Sequence, residues 1–346
     1  YPEMLNLVDR LAVDPVEDES VYLEAIAHAR NAGDKRVEAK LEAIYSQLKS
    51  SQNDFDSVLK HASRAIELAD GACDRAIGLL ARHFLGRGLA WQSKWMESVA
   101  IFDQSIAMAG GDDAAEIEVL GWRPYVESLG IRAACLSIFG RIQEALEFEE
   151  QFPRLVRISG KGADLSSAAS DRFWACWISG DPERARRYSD EALQMAERNG
   201  SDRNIVYALM ACGNASTLGL RWEEGNGFLE RARQRIAATG AGGEWAPFVD
   251  AFQALCLAGL GERERSLDMA HKSWEQASND TARSVGIVRA RVMRTVNGAH
   301  HLDALEAQIA DAFEPLQRTN ANGWMSMLLL ERAGLAKLRG DMDGMK

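Results

Sequence analysis

Seven turns recur along this 346-residue chain at a spacing of about 40 residues, and that periodicity constrains the fold more than any other feature. The turns fall at Asn53, Ser93, Gly140, Gly180, Leu220, Gly261 and Gly340, with one gap, from Ser93 to Gly140, longer by seven residues. Between the last two lies a degenerate copy, "RTVNGAHHLDALEAQIADAF". Each copy has a first helix with a small residue where a partner helix crosses it closely: Ser46, Gly86, Ala133, Gly213, Ala254 and Ala333, with Phe173 breaking the rule. Five residues after the turn stands a second small or slim residue (Val58, Ser98, Ala145, Ala185, Gly225, Ser266), and seven further on often a third (Ala65, Ser105, Ala192, Ala232, Ser273). Small side chains there let two antiparallel helices approach and let the next pair stack on them. One pair cannot bury its apolar face alone, whereas a stack buries a continuous core, so the expected product is a solenoid.

The stretch "LGRGLAWQSKWMESVAIFDQSIAMA" resembles a tetratricopeptide (TPR) unit, with Leu85-Gly86, Trp95, Ser98, Phe102 and Ser105-Ile106 at the signature positions. The period exceeds the usual 34 residues, and the proline that usually closes a unit is missing. The resemblance implies an all-α, right-handed solenoid of TPR-like helix hairpins. It covers residues 36–346 as about eight helix pairs, the last truncated, and leaves residues 1–35 as one or two capping helices broken at Asp14-Pro15.

Two further stretches, "EVLGWRPYVESLGIRAACLSIFGRIQEALEF" (118–148) and "FEPLQRTNANGWMSMLLLERAGLAKLRGD" (313–341), are similar to the C-terminal helical region of large bacterial signalling proteins with a STAND-type ATPase module. The segment Gly121-Trp122-x-Pro124-Tyr125 carries most of that resemblance. It implies a region that senses an inducer or partner and relieves autoinhibition. A class III adenylate or guanylate cyclase domain or a LuxR-type helix-turn-helix would be attached as output. The chain begins with Tyr1 and stops after Lys346, and is expected to be a piece of such a longer protein.

Composition narrows the partners. A net charge of −11 repels phosphate backbones, so nucleic-acid binding is not expected. No apolar run approaches the roughly 18 residues of a membrane span. No signal peptide is expected, and the five Cys (Cys73, Cys135, Cys176, Cys212, Cys256) are odd in number and in no CxxC pair, which suits reduced thiols in the cytoplasm. Four of them sit on first helices, where burial as small hydrophobes is expected.

Catalytic motifs are sought without success. There is no P-loop, and Gly240-Ala241-Gly242-Gly243 follows a helix rather than a strand. Gly110-Gly111-Asp112-Asp113 reads as a helix C-cap followed by acidic residues at the next N-terminus. His28, His61, His83, His271, His300 and His301 show no metal-ligand spacing, so neither metal nor cofactor is expected. Acidic and basic residues on second helices read as a solvated face.

First helices line the concave face of a TPR superhelix, and residues three before and one and four after the packing position point inward. That rule gives His83, Arg87 and Ala90, then Gly130, Ala134 and Ser137, then Ser170, Trp174 and Trp177, then Met210, Asn214 and Thr217, with Tyr207 a turn before Met210. The candidate groove residues are therefore His83, Arg87, Trp174, Trp177, Tyr207, Met210, Asn214 and Thr217, an aromatic-walled set with a few polar groups. Trp174 and Trp177 read equally as core. Trp122, Tyr125 and Trp245 lie near loops, as a lid or as covers of helix ends; Trp95 and Trp222 are expected to pack within their own hairpins. The leading expectation is a non-catalytic sensor or interaction module that binds a small-molecule effector, peptide or protein partner. A standalone TPR scaffold for a peptide or partner protein is the alternative, and a helical-repeat enzyme the remote one, since no nucleophile, base or metal set is evident.

Overall fold

The computed structural model describes residues 19–52, 54–119, 123–160, 165–199, 202–277, 279 and 284–341. Among them the chain is α-helical without a β-strand. The helices are α1 (Glu19–Asn31), α2 (Lys35–Ser51), α3 (Phe55–Gly71), α4 (Arg75–Trp91), α5 (Trp95–Ala109), α6 (Pro124–Phe139), α7 (Ile142–Ser159), α8 (Ser166–Asp171), α9 (Phe173–Ser179) and α10 (Pro182–Asn199). They continue with α11 (Asp202–Leu218), α12 (Trp222–Thr239), α13 (Ala246–Gly259), α14 (Arg263–Gln276), α15 (Val285–Asn297), α16 (Leu302–Arg318) and α17 (Asn322–Arg339). This is the expected all-α solenoid of TPR-like hairpins. Two compact units divide it: residues 1–132 with 151–164, and residues 133–150 with 165–346.

The predicted turns share one local geometry. Ser93, Gly140, Gly180, Leu220, Gly261 and Gly340 all have positive φ, between 56° and 102°; Asn53 lies outside the described residues. At Ser93 and Gly180 the following amide bonds back to a carbonyl five residues earlier, as in Lys94 N–H to Leu89 O and Asp181 N–H to Cys176 O, both 2.9 Å. That is the Schellman arrangement, which satisfies the last free carbonyls of a helix. The same motif closes α1, α3 and α16, at Gly33, Cys73 and Asn320. Asp then often caps the next helix: Asp34, Asp74 and Asp181 each accept from an amide three residues on, at 3.0–3.1 Å. In the degenerate copy the left-handed residues are Gly298 and His301.

Leu220 holds this conformation without being Gly, at φ 56° and with 68% of its surface exposed. Left-handed backbone costs an L-residue about 1–2 kcal/mol. Leu220→Gly should therefore raise the unfolding free energy by about 1 kcal/mol, since no packing is lost. Urea titration of the two proteins checks this, and an unchanged or lower midpoint would contradict it.

The small residues act where expected. A Cβ on Gly86 would overlap the Phe102 ring, and one on Gly213 would overlap Leu229, so each helix lies directly against the next. Ser98 fits beneath by donating its hydroxyl to the Gly86 carbonyl at 2.7 Å. Ala333 on α17 is half-buried, unlike the others. Trp222 also reaches beyond its own hairpin, covering Gly259 of α13 in the following pair. The described part of residues 1–35 contains α1, whose Tyr22, Ala25, Ile26 and Ala29 pack on Val37, Leu41, Ile44, Tyr45 and Leu48 of α2. Cys135, Cys176, Cys212 and Cys256 are buried, and Cys73 is exposed.

Candidate functional site

The predicted groove residues fall into two sets, one in each unit. All eight are buried, the most exposed being Arg87 at 8%. In the first unit His83 and Arg87 lie on α4. The His83 imidazole has Nδ1 3.4 Å from Ser128 Oγ and Nε2 3.6 Å from a Glu127 carboxylate oxygen, both on α6. The Arg87 guanidinium lies over the Phe84 ring, 5.1 Å from its centre. Tyr125, on the first turn of α6, is buried, and Trp122 lies outside the described residues.

The second unit gathers the aromatic set. Trp174 and Trp177 meet edge to face on α9, with ring centres 5.8 Å apart. Trp174 donates its indole N–H to the Tyr207 hydroxyl at 2.8 Å, and Tyr207 donates onward to Asp171 Oδ1 at 2.6 Å. Trp245 stacks flat on Tyr207, 4.4 Å between centres. From α13, Phe248 packs on Trp174 and Phe252 on Trp177. From α17, Trp324 packs on Trp174 at 6.0 Å. Further along α11, Thr217 donates to the Asn214 backbone carbonyl at 2.7 Å, and Met210 is fully buried between them and Tyr207 in sequence.

Among the described residues, Asp171 Oδ2, Trp177 Nε1 and Asn214 Nδ2 have no hydrogen-bond partner. Each such buried group costs about 1–3 kcal/mol if it stays unmet. Burial pushes the Asp171 carboxyl up to about 7, against the opposing pull of the Tyr207 hydrogen bond and the charge of Arg203. The Arg203 guanidinium bonds Glu244 at 2.7 Å. The buried carboxylate in turn drives the Tyr207 hydroxyl well above the ordinary tyrosine range, with desolvation the larger cause.

Asp171, Phe248, Phe252 and Trp324 are members that the inward-facing rule did not supply. Asp171 stands one turn before Trp174, at the break between α8 and α9, so its spacing carried a signal. The break itself falls at Arg172, next to Phe173, the bulky exception at the packing position. Among the described residues no group of three or more His, Cys, Asp or Glu gathers as a metal site, and no helix is long and apolar enough to cross a membrane.

Helix hairpins stacked in sequence, with a layer of first helices carrying aromatic and polar groups, define a TPR-like repeat protein. No protein-family model matches the chain, and no curated protein matches it significantly. Among solved structures it is similar to a Rap protein complexed with competence and sporulation factor, with a TM-score of 0.57 and 12% identity over 98% of this chain and 99% of that one. It is likewise similar to NprR in complex with its cognate peptide NprX, with a TM-score of 0.57 and 13% identity over 99% of this chain and 84% of that one. At these identities the likeness is one of fold.

Proposed function

We propose that this chain is a non-catalytic interaction module that takes a peptide, or an extended segment of a partner protein, on the first-helix layer of its second unit. The observation that carries the reading is three unmet polar atoms, two on Asp171 and Trp177 of the aromatic cluster and one on Asn214 further along α11. Asn214 Nδ2 and Trp177 Nε1 are donors, and Asp171 Oδ2 donates while the carboxyl is protonated and accepts once it is ionised. A peptide backbone brings carbonyls for the two donors and either a carbonyl or an N–H for Asp171, so one ligand type meets every need. Apolar side chains of the ligand would be received by Trp174, Tyr207, Trp245 and Phe248. The fold neighbours support this choice of ligand, since NprR was solved with a peptide and the Rap protein with a competence and sporulation factor. The resemblance of residues 118–148 and 313–341 to the helical part of STAND-type signalling proteins supports a place in a larger regulator. In that setting ligand binding would be relayed to an attached switch module. Small-molecule effectors, a cytoplasmic location, and the contribution of His83, Arg87, Met210, Thr217, Tyr125 and Trp122 belong to the same proposal.

The test is retention of synthetic peptides. Purified protein is incubated with a library of unmodified heptapeptides, passed through gel filtration, and the retained peptides are identified by mass spectrometry. Peptides held by the parent protein should bind Asn214→Ala at least about tenfold more weakly, the loss expected for an unmet buried partner. Retention of no peptide, or equal retention by both proteins, would sink the reading.

A further inference from the structure

In a stacked array each hairpin touches only its neighbours. The second unit departs from that rule at the start of α17. Trp324, 1% exposed, lies against Trp174 of α9, a hairpin far earlier in the chain. Beside it, a Cβ on Gly323 would overlap the Ser137 carbonyl oxygen and come 3.0 Å from that of Ile138, at the last turn of α6. Asn322 in turn sits against Gly140, the residue that ends α6. The last turn of α6 thus lies against the first turn of α17, opposite ends of two helix dipoles.

We propose that residues 322–324 are a latch that keeps the inner aromatic cluster closed, and that a ligand gains Asp171 and Trp177 when this turn swings away. The inference rests on the cluster being the binding site. Two observations make the turn movable. On the opposite face of α17, Leu329 and Leu330 are exposed at 45% and 66%. The middle of the helix is pinned: Glu331, 1% exposed, accepts from Arg291 at 2.7 Å and from Arg294 at 2.6 Å, both on α15. With the helix fixed at Glu331, a pivot about that point lifts Gly323 and Trp324 together with Met327 and Leu328, which are buried on the same side. The three unmet polar atoms give the closed state a standing reason to open for a ligand that satisfies them.

The test uses the whole chain without ligand. Amide hydrogen exchange is followed by mass spectrometry in the parent protein, in Trp324→Ala and in Gly323→Ala, with Leu330→Ala as control. Gly323→Ala keeps every aromatic ring and only wedges α17 from α6, so it remains informative if Trp324→Ala folds poorly. Both latch variants should speed exchange in residues 166–179 and 205–217 by about tenfold or more, with residues 285–297 and 331–339 still protected. Leu330→Ala should match the parent. Exchange that stays slow in residues 166–179, or that rises only across α15–α17, would overturn the latch. These outcomes are independent of peptide retention: a parent protein that holds peptides through Asn214 while the latch variants leave residues 166–179 unchanged has a binding site without a latch. Faster exchange in both variants, with no peptide held by any of them, keeps the closure and removes the binding reading.

Discussion

Trp174→Ala should lower the unfolding free energy by about 3–5 kcal/mol, the range for emptying a buried Trp site. The ring is 4% exposed and packs on Phe173, Trp177, Phe248 and Trp324, which come from three different helices. No single neighbour can collapse into the space, so little of the cavity is recovered. Trp174→Phe separates packing from hydrogen bonding. It keeps most of the ring contacts and removes the N–H that Tyr207 accepts, and its loss should be nearer 1 kcal/mol. Urea unfolding followed by near-ultraviolet circular dichroism reads both. A loss below about 1 kcal/mol for the Ala variant would mean that the ring does not join α9 to α13 and α17.

Asp171 makes the stability of the second unit depend on pH. Its carboxyl is raised by burial from the ordinary range to about 7, whereas in the unfolded chain it titrates near 3.9. Below about pH 4 both states hold the proton and Asp171 adds no pH-dependent penalty. Between about pH 4 and 7 the unfolded chain has released the proton while the folded chain keeps it, so stability falls as pH rises. Well above pH 7 the folded protein carries a buried anion and the penalty is complete, on the order of 4 kcal/mol. Asp171→Asn removes the titration and leaves Tyr207 an acceptor. The variant should therefore gain on the parent protein steadily from pH 4.5 to 8, as seen in paired urea midpoints. A difference that stays flat across that range would rule out a buried carboxyl at this position.

The repeat was legible because the turn residues must be left-handed and the crossing residues must be small, and both demands leave marks at fixed spacing. Leu220 shows how strong the spacing is: its side chain argues against a left-handed turn, yet register alone located it. Trp174, Trp177 and Tyr207 were found from their offset to the packing position. Asp171 was not, since a charged residue on a helix reads as solvent-facing unless its neighbours are known. Trp324 and Phe248 were beyond a reading that compares each hairpin with the next. The approach of α17 to α9 and α6 pairs residues far apart in sequence, and periodicity carries no information about it. The contact of Trp222 with Gly259 of the next pair was missed for a related reason: the first residue of a second helix can reach either side, and the bare surface of Gly259 leaves room for the ring.

The contact between Gly323 and Ser137 also changes how this half of the chain gains and loses order. A linear array can fray from a free end, one hairpin at a time, and each step exposes a single interface. Joining α17 to α6 and α9 removes that end from the second unit. The hairpins between Gly140 and Gly323 become links in a closed chain, each held on both sides. Undoing any one then breaks two interfaces, so partial unfolding is suppressed. Folding in turn must wait for a late closure across a long loop, which makes that step the slow one.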